Sequence, residues 1–462
     1  MDAEIMLGSL TANGFELTTE PETAQVVIIN TCGFIEEAKQ ESINTIIECG
    51  ELKKTGACKV LIAAGCLAQR YQGELLTELP ELDGVVGTGE IGRIADICRA
   101  LLMPGRRPKR LWMAPPPYLY DEMTPRRRLG KPHTAYVKIA EGCNRHCAFC
   151  AIPLMRGRQR SRTVESIVQE AERLASEGVK EINLISQDTI NYGVDLGLRH
   201  GLTTLLRELV KVKDLRWIRP FYLYPQQIHD ELIDLYAGEE KITKYIDMPL
   251  QHINDTMLKR MHRLGNKSYI TRLVDRLRMR ISGLTFRTAF IVGFPGETKA
   301  HFAELKQYLT EMEFDRLGVF LYSDEDGTAA AEFTGKRDRA LMEERQAELL
   351  QIQEAISLKK SRRMIGHRMA VLVDGVSEET ETLLAARHQG QAPEIDGVVY
   401  INDIETPDNL TSRSRTHRKG SLLQPHPVRS GNGHSVFPDP GQFVTVRITD
   451  AAAYDLVGHI VG

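Results

Sequence analysis

Short apolar runs alternate with amphipathic stretches along the first hundred residues. Gln25-Val26-Val27-Ile28-Ile29-Asn30 and Lys59-Val60-Leu61-Ile62-Ala63-Ala64 read as buried strands, and helical patterns over Glu36–Leu52 and Leu67–Leu79 follow them. Near-continuous apolar strands alternating with helices imply a parallel sheet covered on both faces. Cys32 and Cys66 each fall just past the carboxyl end of one strand. Open α/β sheets gather ligands at that edge, so the two thiols are expected to face one crevice. Met103–His133 breaks the alternation. It is rich in Pro and Arg, with Pro115-Pro116-Pro117 and Arg126-Arg127-Arg128, and predicts a linker of little regular structure.

From Thr134 to about Leu321 the pattern becomes six β–α units. Strands are predicted at Tyr136–Ile139, Glu181–Ile185, Trp217–Leu223, Tyr245–Asp247, Arg287–Val292 and Leu317–Leu321, with helices such as Val164–Glu177, Leu202–Val212 and Tyr269–Ile281 between them. Six consecutive units imply an open or partial β/α barrel that works at the carboxyl ends of its strands. A charged helix over Arg337–Arg363 leads to an all-strand pattern at Met369–Val373, Val398–Ile401 and Phe443–Ile448, which predicts a small β-barrel. Thr406–Ser435, rich in Ser, Arg, His and Pro, reads as a flexible insertion in it. The predicted class is α/β, divided as an α/β domain at 1–102, a linker at 103–133, a partial barrel at 134–336, a connecting helix at 337–364 and a β-barrel at 365–462. No internal repeat is evident.

Composition narrows the function classes. At 462 residues the chain is long enough for about three domains. The net charge of −3 provides no global basic field for nucleic acid. Eight cysteines are too sparse for a disulfide scaffold, and the tight spacing of three favours a metal. Met1-Asp2-Ala3-Glu4 is acidic with no apolar run behind it, unlike a signal peptide, and no segment approaches the roughly 20 apolar residues of a membrane span. A cytoplasmic protein is expected.

The three cysteines are Cys143, Cys147 and Cys150, spaced C-x3-C-x2-C and starting four residues past the first barrel strand. A closed structural metal site takes four ligands, whereas an iron–sulfur cluster held by three thiolates leaves one iron open for chemistry. Zinc with His146 as fourth ligand is an alternative, though ligands at 143 and 146–147 crowd one loop; buried structural cysteines are another. Phe149 is placed to shield a cluster from water, and Gly142 to let backbone approach it.

The triplet in the first loop of a β/α barrel resembles the radical S-adenosylmethionine enzymes. More narrowly, the chain resembles the methylthiotransferases over nearly its full length. Asn30-Thr31-Cys32-Gly33-Phe34-Ile35, Gly65-Cys66-Leu67-Ala68-Gln69-Arg70-Tyr71 and Tyr120-Asp121-Glu122-Met123-Thr124-Pro125 carry the likeness in the first part. Ser186-Gln187-Asp188-Thr189, Pro249-Leu250-Gln251-His252 and Gly293-Phe294-Pro295-Gly296-Glu297-Thr298 carry it in the barrel. Asp396-Gly397-Val398-Val399-Tyr400-Ile401 and Tyr454-Asp455-Leu456-Val457-Gly458 resemble a TRAM barrel. The likeness is greatest to the branch that methylthiolates an aspartate of small-subunit ribosomal protein S-twelve.

That resemblance implies a transferase with two [4Fe–4S] clusters, S-adenosylmethionine and an electron donor such as flavodoxin. In the family the open iron chelates S-adenosylmethionine, an electron breaks its sulfonium bond, and the resulting 5′-deoxyadenosyl radical takes a hydrogen from an unactivated carbon. A second cluster delivers sulfur, and another S-adenosylmethionine gives the methyl group. Gly293 and Gly296 would let backbone approach the nucleoside, while Gln187, Asp188 and Gln251 would contact polar groups of the ligand; turn or loop-capping roles are the alternatives for each. Arg156, Arg158, Arg160 and Arg162 would counter carboxylate or cluster charge, or form a solvated basic strand.

The family holds its second cluster with three cysteines, of which Cys32 and Cys66 match the second and third. The first would precede the segment at Asp2–Gly8, and the expectation is that the native chain begins further upstream. Cys49, Cys58 and Cys98 do not replace it: Cys98 falls in the core spacing Ile94, Ile97, Cys98, Leu101, Cys49 follows Ile43, Ile46 and Ile47 likewise, and Cys58 opens a strand at its far end.

The sister branch modifies adenosine in transfer RNA. Outside the insertion, Ile365–Gly462 holds eleven acidic residues against three arginines, a net −8 that would repel phosphates and attract a basic ribosomal protein. The insertion, at net +4, would be free to touch ribosomal RNA. Aspartate methylthiolation of ribosomal protein S-twelve is therefore the preferred expectation. Transfer-RNA methylthiolation is one alternative; a catalytically incomplete iron–sulfur protein that binds ribosome or RNA through its terminal barrel is the other.

Overall fold

The computed structural model describes residues 1–103, 110–114, 119–404 and 437–461. In the first unit, α1 (Asp2–Ala12), β1 (Val26–Thr31), α2 (Glu36–Thr55), β2 (Val60–Gly65), α3 (Cys66–Tyr71), α4 (Glu74–Glu78), β3 (Gly84–Val86), α5 (Ile94–Leu102) and β4 (Leu111–Trp112) form a parallel sheet in the order β1-β2-β3-β4. Every residue of β2 is buried, which explains its unbroken apolar run. Val60, Ile62 and Ala64 pack with Ile5, Met6, Ile94 and Cys98 on one face, while Leu61 and Ala63 pack with Ile46, Leu67 and Ala68 on the other.

Two expectations need correction here. The helix predicted over Leu67–Leu79 is two helices, because Gln72 turns left-handed (φ 49°) and ends the first. The stretch Met103–His133 is more than a loose linker. It contributes β4, and beyond it Tyr120 is 3% exposed. Arg126 is buried between Glu4 (2.8 Å) and Glu170 (2.9 Å), tying the first unit to the barrel. Its Pro115-Pro116-Pro117 run lies outside the described residues.

The central unit contains β5 (Thr134–Lys138), β6 (Ala140–Glu141), α6 (Ile152–Arg156), β7 (Arg160–Ser161), α7 (Val164–Ser176), β8 (Glu181–Ile185), α8 (Gly201–Leu209), β9 (Trp217–Pro220), α9 (Asp230–Gly238), β10 (Tyr245–Asp247), α10 (Asp255–Arg260), α11 (Lys267–Arg280), β11 (Thr285–Val292), α12 (Lys299–Met312) and β12 (Arg316–Leu321). Two parallel sheets, β5-β8-β9 and β10-β11-β12, meet through a bridge between Ile218 and Ile242. No pairing closes β12 onto β5 among the described strands, so this is a half-barrel with an open seam. Val137, Ile182, Leu184, Ile246, Phe290 and Val319 face the helices. The alternate positions face the lumen, which is polar: Lys138, Glu181, Asn183, Arg219, Asp247, Arg287 and Arg316.

Helix α13 (Arg339–Arg363) packs along β12 and leads to β13 (Arg368–Val376), β14 (Leu384–His388), β15 (Val399–Ile404), β16 (Phe443–Ala451) and β17 (Leu456–Ile460), a closed barrel in the order β13-β14-β15-β17-β16. The predicted insertion at Thr406–Ser435 lies outside the described residues. A loop of this barrel plugs the lumen of the half-barrel. Arg219 donates to Gln389 O (2.8 Å), Tyr136 Oη to Pro393 O (3.4 Å) and Tyr245 Oη to Asp396 Oδ2 (2.7 Å), while Ala392 packs with Phe221 and Tyr245. Beside the plug, Arg387 pairs with Glu181 and Asp374, both at 2.7 Å. The net −8 of the terminal barrel thus overstates its surface charge, because Asp374 and Asp396 are buried against the half-barrel.

The last residue of β14, just before the plug, is a pH-sensitive group. His388 Nδ1 accepts the Gly390 N–H (3.0 Å), so the proton resides on Nε2, a buried atom with no hydrogen-bond partner among the described residues. Burial, reinforced by the charges of Arg316, Arg219 and Arg387, pushes this imidazole down to about 3. An unfolded histidine titrates near 6.5, so this stability is present above about pH 6.5 and is lost as pH falls toward the folded value. Urea unfolding at pH 5 is expected to show a loss on the order of 2 kcal/mol relative to pH 7 from this group. A His388→Gln variant is expected to lack that component; an unchanged pH slope would refute the assignment.

Candidate functional site

The loop holding the cysteine triplet is pinned at its start by the pairing of β6 with β7. Gly142 is left-handed (φ 83°), and a Cβ there would lie 2.3 Å from Arg158 O, so only glycine permits this approach. Cys143 N donates to Gly157 O (3.1 Å) and Cys150 N to Cys147 O (3.1 Å). The three thiols are half-buried and sense one another. Burial first, then the Asp188 charge and Cys147, push Cys143 up to about 11; burial first, then Cys147 and Cys143, push Cys150 up to about 12. Arg263 Nη1 lies 3.6 Å from Cys147 Sγ, and the Arg263 and Arg145 guanidinium groups sit over Tyr224 at 3.9 and 4.0 Å. Thiolates formed here therefore have cationic neighbours.

The spacing of these sulfurs distinguishes their possible guests. The only group of three ligand-type atoms lying within 4.8 Å of one another, among the described residues, is elsewhere. The three thiols are not gathered that closely, and three thiolates on one loop are a donor set that an iron–sulfur cluster takes. His146 is exposed on the loop. Phe149 meets Phe294 edge-to-face (6.4 Å) in an apolar wall with Met257, Met261 and Tyr322.

Cys32 and Cys66 follow directly on Thr31 and Gly65, which are paired in register at the ends of β1 and β2. The two thiols share that edge, as expected from their positions after the strands. Cys32 is exposed; Cys66 opens α3, and burial raises its thiol against the opposing charge of Arg156. Arg156 Nη2 contacts Cys66 Sγ (3.0 Å) and Asp2 Oδ2 (2.7 Å), and its Nη1 reaches Glu141 Oε2 (3.3 Å). One guanidinium therefore joins the paired thiols to the residue two places before Cys143. Cys98 and Cys49 pack in the hydrophobic cores of the first unit, and Cys58 is buried at the foot of β2.

The arginine run does not form a solvated strand. Only Arg160-Ser161 is extended; Arg156 ends a helix, and Arg162 is buried against Glu170 at 2.5 Å. At the end of β8, Gln187 Nε2 donates to Glu141 Oε1 (3.1 Å) and Arg145 Nε to Asp188 Oδ2 (2.6 Å). Gln187 Oε1 and Asp188 Oδ1 are buried without partners among the described residues, two acceptors open to a ligand's ammonium or hydroxyl groups. Burial pushes the Asp188 carboxyl up, opposed by Arg145. Gln251 is left-handed (φ 72°) and bridges to Phe290. Gly293 (φ 78°) and Gly296 (φ 88°) are left-handed as well, and a Cβ on Gly293 would meet Met342 Cγ at 2.2 Å. The space beside Gly293 is filled by α13, in keeping with the tight-turn alternative.

Comparisons with known proteins match each of the three units. Residues 137–309 match the radical SAM superfamily, 1–87 match "Uncharacterized protein family UPF0004" and 365–422 match the TRAM domain. The ribosomal protein uS12 methylthiotransferase RimO of Myxococcus xanthus is 45% identical over 461 residues, covering 100% of this chain and 89% of the relative. That of Geobacter sulfurreducens is 44% identical over 462 residues, covering 100% of this chain and 96% of the relative. The chain belongs to the ribosomal protein uS12 methylthiotransferase family. Among solved structures, the radical S-adenosylmethionine methyltransferase TsrM from Kitasatospora setae shares the fold, with a TM-score of 0.52 at 15% identity over 77% of this chain and 86% of that one.

Some groups of this uS12 methylthiotransferase family member were invisible to motif reading. Glu141 precedes the cysteine motif and is 1% exposed, yet it receives hydrogen bonds from Lys138, Arg156 and Gln187. Arg263 has no sequence signal, since only folding brings it to Cys147. The compact ligand-type group is His200, His229 and Glu231 on the helical side. There His229 Nδ1 accepts the Leu232 N–H and Nε2 lies 3.3 Å from Thr203 Oγ1, so the ring caps α9.

Proposed function

We propose that the protein is a radical S-adenosylmethionine enzyme that methylthiolates the β-carbon of an aspartate in ribosomal protein uS12, replacing C–H with C–S–CH3. The observation that carries this is the bridge of Arg156 between the Cys66 thiol and the loop of Cys143, Cys147 and Cys150, in a full-length relative of the uS12 methylthiotransferases. The triplet is assigned to a [4Fe–4S] cluster with one iron free of protein ligands, which supplies the electron that cleaves S-adenosylmethionine when bound. Gln187 and Asp188 offer acceptors to that ligand, Gln251, Gly293 and Gly296 shape the backbone around it, and Phe149 and Phe294 exclude water from the thiols. Cys32 and Cys66 are assigned to the sulfur-donating [4Fe–4S] cluster, with a third ligand beyond those two. A flavodoxin-type protein is the proposed electron donor, and the cytoplasm, where ribosomes assemble, the proposed location. No helix among the described residues is long and apolar enough to cross a membrane.

Reconstituted protein incubated with S-adenosylmethionine, reductant and either uS12 or transfer RNA tests the reading by mass spectrometry. A methylthio mass gain on one aspartate of uS12 is expected; a gain on RNA alone would overturn it.

A further inference from the structure

Arg156 ends α6, and the turn it enters serves both thiol sites. The next residue holds the triplet loop, Gly157 O accepting the Cys143 N–H (3.1 Å). The Arg156 side chain reaches the other site, its Nη2 donating to Cys66 Sγ (3.0 Å) just past β2. Helix α6 packs on α3, which Cys66 opens, and Thr88 Oγ1 donates to Met155 O (3.1 Å). The guanidinium therefore stands on a fixed support that joins the first unit to the half-barrel.

Its charge is balanced before the thiol is counted. Lys138 and Arg156 face the carboxylates of Asp2 and Glu141, Lys138 at 2.8 and 2.6 Å and Arg156 at 2.7 and 3.3 Å. Two cations against two anions, all largely buried, satisfy the pairing without any contact to sulfur. Arg156 nevertheless divides Nη2 between Asp2 and Cys66. The other cations near this edge are engaged elsewhere. Arg70 and Lys39 both pair with Glu325, and Arg70 also donates to Gly33 O (3.0 Å). Among the described residues, Arg156 is the one cation that donates to the Cys32 or Cys66 thiol.

Resting on the two-cluster reading above, we infer that Arg156 sets the reduction potential of the cluster assigned to Cys32 and Cys66. An iron–sulfur cluster gains one negative charge on reduction. A guanidinium donating to a ligand sulfur favours that added charge, through its own charge and through the N–H···S bond. Arg156 therefore raises the potential. The proposed reaction gives this a use. A carbon radical brings one electron and a sulfur lone pair two; the C–S bond keeps two, and the third passes to the cluster at Cys32 and Cys66. Arg156 makes that uptake more favourable.

A redox titration followed by electron paramagnetic resonance tests this. The parent is the protein carrying Cys143→Ala, Cys147→Ala and Cys150→Ala, which after reconstitution with iron and sulfide holds only the second cluster. Adding Arg156→Gln is expected to make reduction at least about tenfold less favourable, a midpoint lower by about 59 mV. Arg156→Lys keeps the charge but loses the fork, and is expected to fall between the two, about threefold below the parent. An arginine with a merely structural role would change iron content or unfolding and leave the midpoint of loaded molecules in place. A midpoint in Arg156→Gln within about twofold of the parent would therefore overturn the inference. Where Arg156→Gln binds no iron, Arg156→Lys decides alone: a lowered midpoint supports the assignment and an unchanged one removes it. If the parent itself binds no iron, the reading of Cys32 and Cys66 as a cluster site falls, and the inference with it.

Discussion

Replacing Cys147 with alanine is expected to abolish reductive cleavage of S-adenosylmethionine. The residue is the middle of three thiols that share one loop, and it is the one Arg263 approaches. Alanine keeps the Cβ and removes only the sulfur, so the loop retains its anchors from Cys143 N to Gly157 O and from Ala148 N to Met261 O. A cluster reduced from three thiolates to two loses its hold, and iron content is expected to drop by about four per chain. Iron analysis with release of methionine and 5′-deoxyadenosine under reductant checks both. Cys98→Ala is the control. That thiol lies in the core of the first unit, and its removal is expected to leave iron unchanged. Wild-type cleavage in Cys147→Ala would remove the triplet from its assigned role.

The second large effect concerns stability. Arg387→Met is expected to destabilise the junction between half-barrel and terminal barrel by about 3–5 kcal/mol, because it strands buried carboxylates. Arg387 is 2% exposed and donates to Asp374 and Glu181, both fully buried. Glu181 keeps Arg219 (3.0 Å) and Asp374 keeps His133 (2.8 Å), so the loss is partial for each. The pH dependence follows from Asp374. Burial works against its ionised form, but the His133 hydrogen bond and the Arg387 charge outweigh it and hold the carboxyl below the ordinary range. That contribution is present above about pH 4 and is lost as pH falls toward the folded value. The gap between wild type and Arg387→Met in urea unfolding is therefore expected to be widest near neutrality and to narrow in acid. A gap that does not change with pH would show that packing, not charge, holds the junction.

Both effects bear on what was legible in the chain. The cysteine spacing placed three thiols on one loop without any structure, because three residues within eight positions constrain one another locally. Strands β2, β8, β10, β11 and β12 were readable because parallel strands covered by helices need apolar runs. Helix α1 was missed, as were strands β3, β14 and β17; the strands are short, and β17 (Leu456–Ile460) interrupts its apolar positions with Gly458 and His459. The Gln72 break escaped for a related reason. A single left-handed residue between two apolar-patterned segments does not disturb the periodicity that marks them as helical.

Charge was the least legible property. Counting acids in the last domain treated Asp374 and Asp396 as surface, whereas both face the half-barrel. The Arg156–Arg162 run read equally well as solvated strand or ion-pairing set, and the fold sends its members to different places. The sequence by itself determined the local facts: three thiols in one loop, two more at adjacent strand ends, six β–α units and a terminal barrel. Only the tertiary structure decided which charges meet. It set Arg156 between the two thiol sites and Arg387 between two domains. The reason is physical. Strand and helix periodicities are written within a few residues of chain, but the energy of a charge depends on burial and on partners that only folding brings near.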